Sequence, residues 1–223
     1  MSSDERLESI VGHIVEELTN KNRVRDDTLQ RSRELIRFCA NSIRATHRRD
    51  YDLARELLSE AKRAAMRMRE DAAAYGDVYH AGYTQDALKE LTEAAATLAI
   101  VTGQPLPGPE DLQVEYAAYL NGLGEAAGEF RRFALDSIRR GEIDRAEELL
   151  ATMDEIYSQL VTVDFPDSLT GGLRRTTDMV RGVTERTRGD LTTAARQEKL
   201  QATLRQFERR LAEGLQPPEA AES

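Results

Sequence analysis

Apolar residues recur at helical spacing along most of the chain. Leu35, Ile36, Cys39 and Ile43 mark one stripe, Leu53, Leu57, Ala61, Ala64 and Met68 a second, and Leu120, Leu123, Ala127 and Phe130 a third. The pattern predicts a first helix over about 4–48, interrupted near Lys21–Asp27. Asp50 is placed to cap a second helix that runs to about Tyr79, and a third covers about Thr84 to Val101. TGQPLPGPED then breaks the pattern, with three prolines and two glycines in ten residues. A fourth helix follows from about Glu110 to Arg140, stopped by Gly141, and a fifth from Ile143 to about Val161. After a second break, VDFPDSLTGG, a last long helix spans about Leu173 to Glu213. No stretch alternates with the period of a strand. The expected fold is all-α, an antiparallel bundle of about six to seven long helices. It forms a single domain over 1–214, with 215–223 as a disordered tail.

Two pairs of acids stand at helical spacing inside this pattern. Glu90 and Glu93 lie in KELTEAAATLA, and Glu125 and Glu129 in YLNGLGEAAGEFRR. Residues three and four apart share one face of a helix, so each pair projects two carboxylates in one direction. Four convergent acids suit a hard divalent cation such as Mg²⁺ or Mn²⁺, which takes oxygen ligands. Acid pairs on exposed helix faces are common, and the bland alternative is a solvated surface. The flanking residues argue for more. Ala118, Gly122 and Ala126 border one pair, and Ala94, Ala95 and Ala96 the other. A helical glycine costs about 1 kcal/mol relative to alanine, so Gly122, Gly124 and Gly128 call for a packing or functional reason.

Charge is segregated. Arg31 to Arg69 holds eleven Lys/Arg and five Asp/Glu, Glu70 to Phe130 one Lys and eleven Asp/Glu, and Arg174 to Arg210 ten Lys/Arg and five Asp/Glu. Basic arms around an acidic middle suit a nuclease, because phosphates need cations and a metal site needs acids. The net charge of −9 does not suit a protein that binds nucleic acid through charge alone. Only four of the 31 basic residues are lysine, an acid-rich, lysine-poor balance expected of a protein kept soluble in a salt-rich cytoplasm. There, close bidentate Arg–phosphate contacts matter more than long-range attraction.

The single cysteine, Cys39, sits in an apolar stripe and reads as a core residue, and one cysteine allows no internal disulfide. No apolar run approaches a membrane span, and MSSDERLES lacks the features of a signal peptide, so a cytoplasmic location without membrane attachment is expected. His47 and His80 read as structural. A ferritin-like di-iron centre needs Glu-x-x-His, which the chain lacks.

YLNGLGEAAGEFRRFALDSI, VDFPDSLTGGLRRTTDMVRGVTERTRGDL, RSRELIRFCANSIRATHRRDYDLARELLSEA and the KELTEA segment together resemble the translin/TRAX family, in order and spacing, over roughly Asp27 to Leu191. The resemblance implies an all-α subunit of about seven helices. It also implies assembly into a hollow octamer around single-stranded RNA or DNA or short duplex RNA, from copies of one chain or with a second family member. Translin-type subunits mainly bind nucleic acid, whereas TRAX-type subunits carry a metal-dependent endoribonuclease site. Glu90 and Glu93 fall on the two acids of the TRAX EYxEA-like segment, Glu125 on its aspartate and Glu129 on the following glutamate. The chain thus resembles TRAX more closely, with a non-catalytic translin-type shell as the alternative. Glutamate at 125 carries its carboxylate about one C–C bond further out than aspartate, and Mg²⁺ demands near-ideal geometry. The implied catalytic and metal ligands are Glu90, Glu93, Glu125 and Glu129, with Glu34 a further ligand and Mg or Mn the cofactor. Arg48, Arg49, Arg174 and Arg175 are the expected phosphate contacts.

Overall fold

Several helices in this chain end at a residue with left-handed backbone, and two of those residues, Arg49 and Gln113, are not glycine. The structure, a computed structural model, describes residues 3–214, so the tail expected to be disordered, 215–223, lies outside the described residues. Nine helices occur among them. They are α1 (Ser3–His47), α2 (Tyr51–Ala72), α3 (Gly76–Tyr79), α4 (Gly82–Val101), α5 (Pro109–Leu112), α6 (Tyr116–Arg139), α7 (Ile143–Val161), α8 (Asp167–Thr170) and α9 (Leu173–Gly214). Six are long and three are single turns, in keeping with the expected all-α fold.

Asp50 caps α2 as expected, its side chain accepting from the Leu53 amide. Gly141, at φ +76°, stops α6. Three expectations are corrected. α1 runs unbroken through Lys21–Asp27, because that polar stretch holds neither glycine nor proline and is tied by a bond from Asn22 Nδ2 to Asp26. The second helix stops at Ala72, and 76–79 form a separate turn, α3. The fourth does not start at Glu110: Gln113, at φ +53°, separates α5 from α6.

α1, α2 and α4 share one apolar cluster, built on Leu35, Cys39, Met68, Leu88 and Leu91. α6, α7 and α9 share another, built on Phe130, Leu149, Met153, Leu160, Val180 and Leu191. α4 and α6 pack on each other and join the two. Asn121 adds a polar latch on the far side of α6: it donates to Thr170 O (2.8 Å) and accepts from Thr176 Oγ1 (2.6 Å). Among the described residues, no helix is long and apolar enough to cross a membrane.

Candidate metal centre at the α4–α6 seam

The close approach of α4 and α6 begins with a missing side chain. A Cβ on Gly122 would lie 2.4 Å from Lys89 O and 2.7 Å from Thr92 Cβ. Gly124 has the same role toward α9, where a Cβ would meet Thr176 Cγ2 at 2.4 Å. Gly128 has no such neighbour, so packing does not account for it.

That approach brings three of the expected acids together. One carboxylate oxygen from each of Glu90, Glu93 and Glu125 lies within 4.8 Å of the other two. All three residues are half-buried. Burial, and then the charges of Glu90, Glu125 and Glu129, push the Glu93 carboxyl up to about 8. Glu90 is raised by the same two causes, burial first and Glu125 next, with Lys89 opposing. Three acids that resist joint ionisation in a crevice form a site that gains from a cation.

One cation is already present, and the sequence reading missed it. Lys89 Nζ donates to Glu125 Oε1 at 2.8 Å. Burial lowers the Lys89 ammonium, but the hydrogen bond and charge of Glu125, with Asp86 and Glu90, leave it above its usual value. The only signal in the sequence was one of four lysines standing directly before Glu90.

Glu129 borders the three acids and adds to the charge that raises Glu93, but its carboxylate is held by His47. The His47 side chain is 5% exposed and stacks on Phe133 with centroids 4.1 Å apart. Its Nε2 bonds Glu129 Oε2, and its buried Nδ1 has no partner. His47, read as structural, is thus packed on Phe133 and paired with Glu129, next to the three acids. His80 stays away from it, edge-on to Tyr79.

Glu34 is half-buried on α1 and is not one of the three acids that meet. Cys39 is fully buried, and its thiol is raised by burial and then by Glu90 and Glu93, an inert core residue facing the acids. Arg48 and Arg49 follow His47 at the end of α1, and both are exposed. Arg49 takes up a left-handed φ of 61° and donates to Glu142 at 2.8 Å. Arg174 and Arg175 open α9 and are exposed, Arg174 lying 3.7 Å from Asp164.

The donor set suits a hard divalent cation: three carboxylates converge, and each is an oxygen ligand. No family model matches the chain. An uncharacterized protein of Methanocaldococcus jannaschii is 28% identical over 200 residues, 89% of this chain and 88% of that one. The fold matches NeC3PO, solved in its apo form, with a TM-score of 0.75 at 22% identity, over 82% of this chain and 96% of that one. It matches AfC3PO, solved in complex with duplex RNA, with a TM-score of 0.73 at 33% identity, over 83% of this chain and 96% of that one. The quoted segments that resemble translin and TRAX, the helical order and this match agree, and the chain belongs to the translin/TRAX family, that of the C3PO proteins.

Proposed function

We propose that the chain binds RNA and cleaves it as a divalent-metal-dependent endoribonuclease of the TRAX type, within a hollow oligomer. The observation that carries this reading is the meeting of Glu90, Glu93 and Glu125 within 4.8 Å, on helices that glycine lets approach. The complex of AfC3PO with duplex RNA supports RNA as the ligand class.

In this reading Glu90, Glu93 and Glu125 hold Mg²⁺ or Mn²⁺, and Glu129 adjoins them. Such a cation lowers the pKa of a water and stabilises charge at the attacked phosphate. The chain does the rest. Glu93 gives up its proton when the cation binds, since a carboxyl pushed up to about 8 must ionise to be a ligand. Lys89 holds the Glu125 carboxylate toward α4 and keeps positive charge beside the phosphate path. His47 fixes Glu129. Arg48, Arg49, Arg174 and Arg175 contact the RNA backbone, Arg48 and Arg175 being the more available, because Arg49 and Arg174 have acid neighbours.

The Lys89–Glu125 pair also favours a second reading, in which the lysine alone neutralises the cluster and the protein is a non-catalytic shell for single-stranded nucleic acid. Cleavage of a labelled single-stranded RNA, in Mg²⁺ or Mn²⁺ against EDTA, separates the two. Metal-dependent cleavage that disappears in Glu90→Gln/Glu93→Gln supports the nuclease. Binding without cleavage in the unaltered protein leaves the shell.

A further inference from the structure

The first helix and the last both run past the bundle, and both carry a bare apolar seam. On α1, Leu7, Val11, Ile14 and Leu18 are 62%, 48%, 49% and 58% exposed. On α9, Leu200, Leu204, Phe207 and Leu211 are 60%, 51%, 59% and 50% exposed. Isolated exposed leucines need no explanation, but two contiguous rows do.

The rows match each other. Both are spaced four, three and four, which is two heptads of an a/d seam on each helix. Within the chain they do not meet, since α1 packs chiefly on α2 and α4, and α9 on α6 and α7. The two segments are opposite in net charge. Residues 4–18 hold five acids and one arginine, whereas residues 196–211 hold five Lys/Arg and two acids. Two α1 seams from separate copies would bring ten acids together, and two α9 seams would likewise pair like with like. Only α1 against α9 joins apolar rows and opposite charges at once. The α1 row ends at a groove of about 490 Å³ that Leu18 lines with Val78 and Tyr83, so the apolar path continues onto the bundle.

We infer that the α1 seam of one copy pairs with the α9 seam of another as a two-stranded coiled coil, and that this contact builds the homo-oligomer. The inference rests on the oligomer part of the proposed function and not on its chemistry. A contact between different surfaces closes into a ring or a reciprocal dimer when its geometry allows.

Sedimentation of the full chain, without RNA or metal and at low ionic strength, tests the pairing. On a helical wheel Glu8 and Glu17 border the α1 row on its two sides, and Lys199 and Arg210 lie together along one side of the α9 row. Glu8→Lys/Glu17→Lys and Lys199→Glu/Arg210→Glu should each weaken assembly about tenfold, and all four substitutions together should restore it. These positions are exposed, and far-UV circular dichroism follows their folding. An unaltered assembly in either charge variant overturns the pairing, as does failure of the combined variant to recover it. A monomeric parent protein overturns the pairing and the oligomer together. An oligomeric parent with unaffected variants overturns the pairing alone.

Discussion

Gly122 lies against Lys89 so closely that a Cβ would stand 2.4 Å from the Lys89 carbonyl oxygen. A backbone atom cannot swing aside as a side-chain end can, so Gly122→Ala must push α6 off α4. Overpacking of this kind costs about 1–3 kcal/mol, and here it also separates Glu125 from Glu90 and Glu93. Urea unfolding should show that loss, and Mn²⁺ affinity should fall with it. Gly128→Ala is the control. Nothing lies within 4 Å of a Cβ there, and alanine favours the helix by about 1 kcal/mol, so stability should rise or hold. Equal losses in the two variants would show that the α4–α6 approach does not set the site.

The Glu93 carboxyl gives the site a pH dependence of definite sign. Its value in the folded chain, about 8, lies above the 4.5 of an ordinary glutamate, so the folded protein holds a proton that the unfolded chain releases. That stabilising contribution is whole below about 4.5 and is lost as pH rises through about 8. The metal-free protein should therefore become easier to unfold over this window, and Mg²⁺ or Mn²⁺ should reverse the trend. Below pH 8 the cation must displace the proton, so its affinity should rise by up to about tenfold per pH unit. Titration calorimetry in buffers of different ionisation enthalpy reads the released proton directly. Glu93→Gln should remove most of the release and of the destabilisation, leaving only what Glu90 contributes.

The long helices were legible because their ends are punctuated by residues with a mechanism, Asp50 as a cap and Gly141 as a stop. Gln113 was not legible, since nothing in a glutamine marks a left-handed φ of 53°. The acids were half legible. Three-residue spacing put Glu90 and Glu93 on one face, and small flanking residues signalled a close neighbour. Which acids converge depended on partners far along the chain. Lys89 reaches Glu125 across 36 positions, and His47 reaches Glu129 across 82. No periodicity on either helix records such a pairing. The four-acid cage thus divides into three acids that meet and a fourth held by histidine.

Lys89 competes with any cation for Glu125. Lys89→Met removes the ammonium and keeps the apolar stem, so the three acids are left without their internal counter-charge. Above pH 8, where Glu93 is ionised, Mn²⁺ should bind several-fold more tightly to the variant, and the metal-free variant should unfold more easily than the parent. Equal affinity in the two proteins would mean that the cation does not use Glu125, and would favour the shell over the nuclease. RNA cleavage need not follow affinity, because in the proposed mechanism the lysine would also supply charge next to the phosphate.

His47 and Glu129 offer the most selective test of how far the site extends beyond its three meeting acids. The imidazole is fixed by its stack on Phe133 at one side and by its bond to Glu129 at the other. Removing a group that orients a ligating carboxylate typically costs about 10–100-fold in metal affinity or activity. His47→Ala leaves a cavity as well as a freed carboxylate, so a fall in stability alone would be ambiguous. His47→Gln keeps a donor and much of the volume. If His47 acts by orienting Glu129, the alanine variant should lose metal-dependent cleavage by that factor and the glutamine variant should recover most of it. Equal activity in His47→Ala and the parent, at matched folded fraction, would place Glu129 outside the working site and reduce the ligand set to Glu90, Glu93 and Glu125.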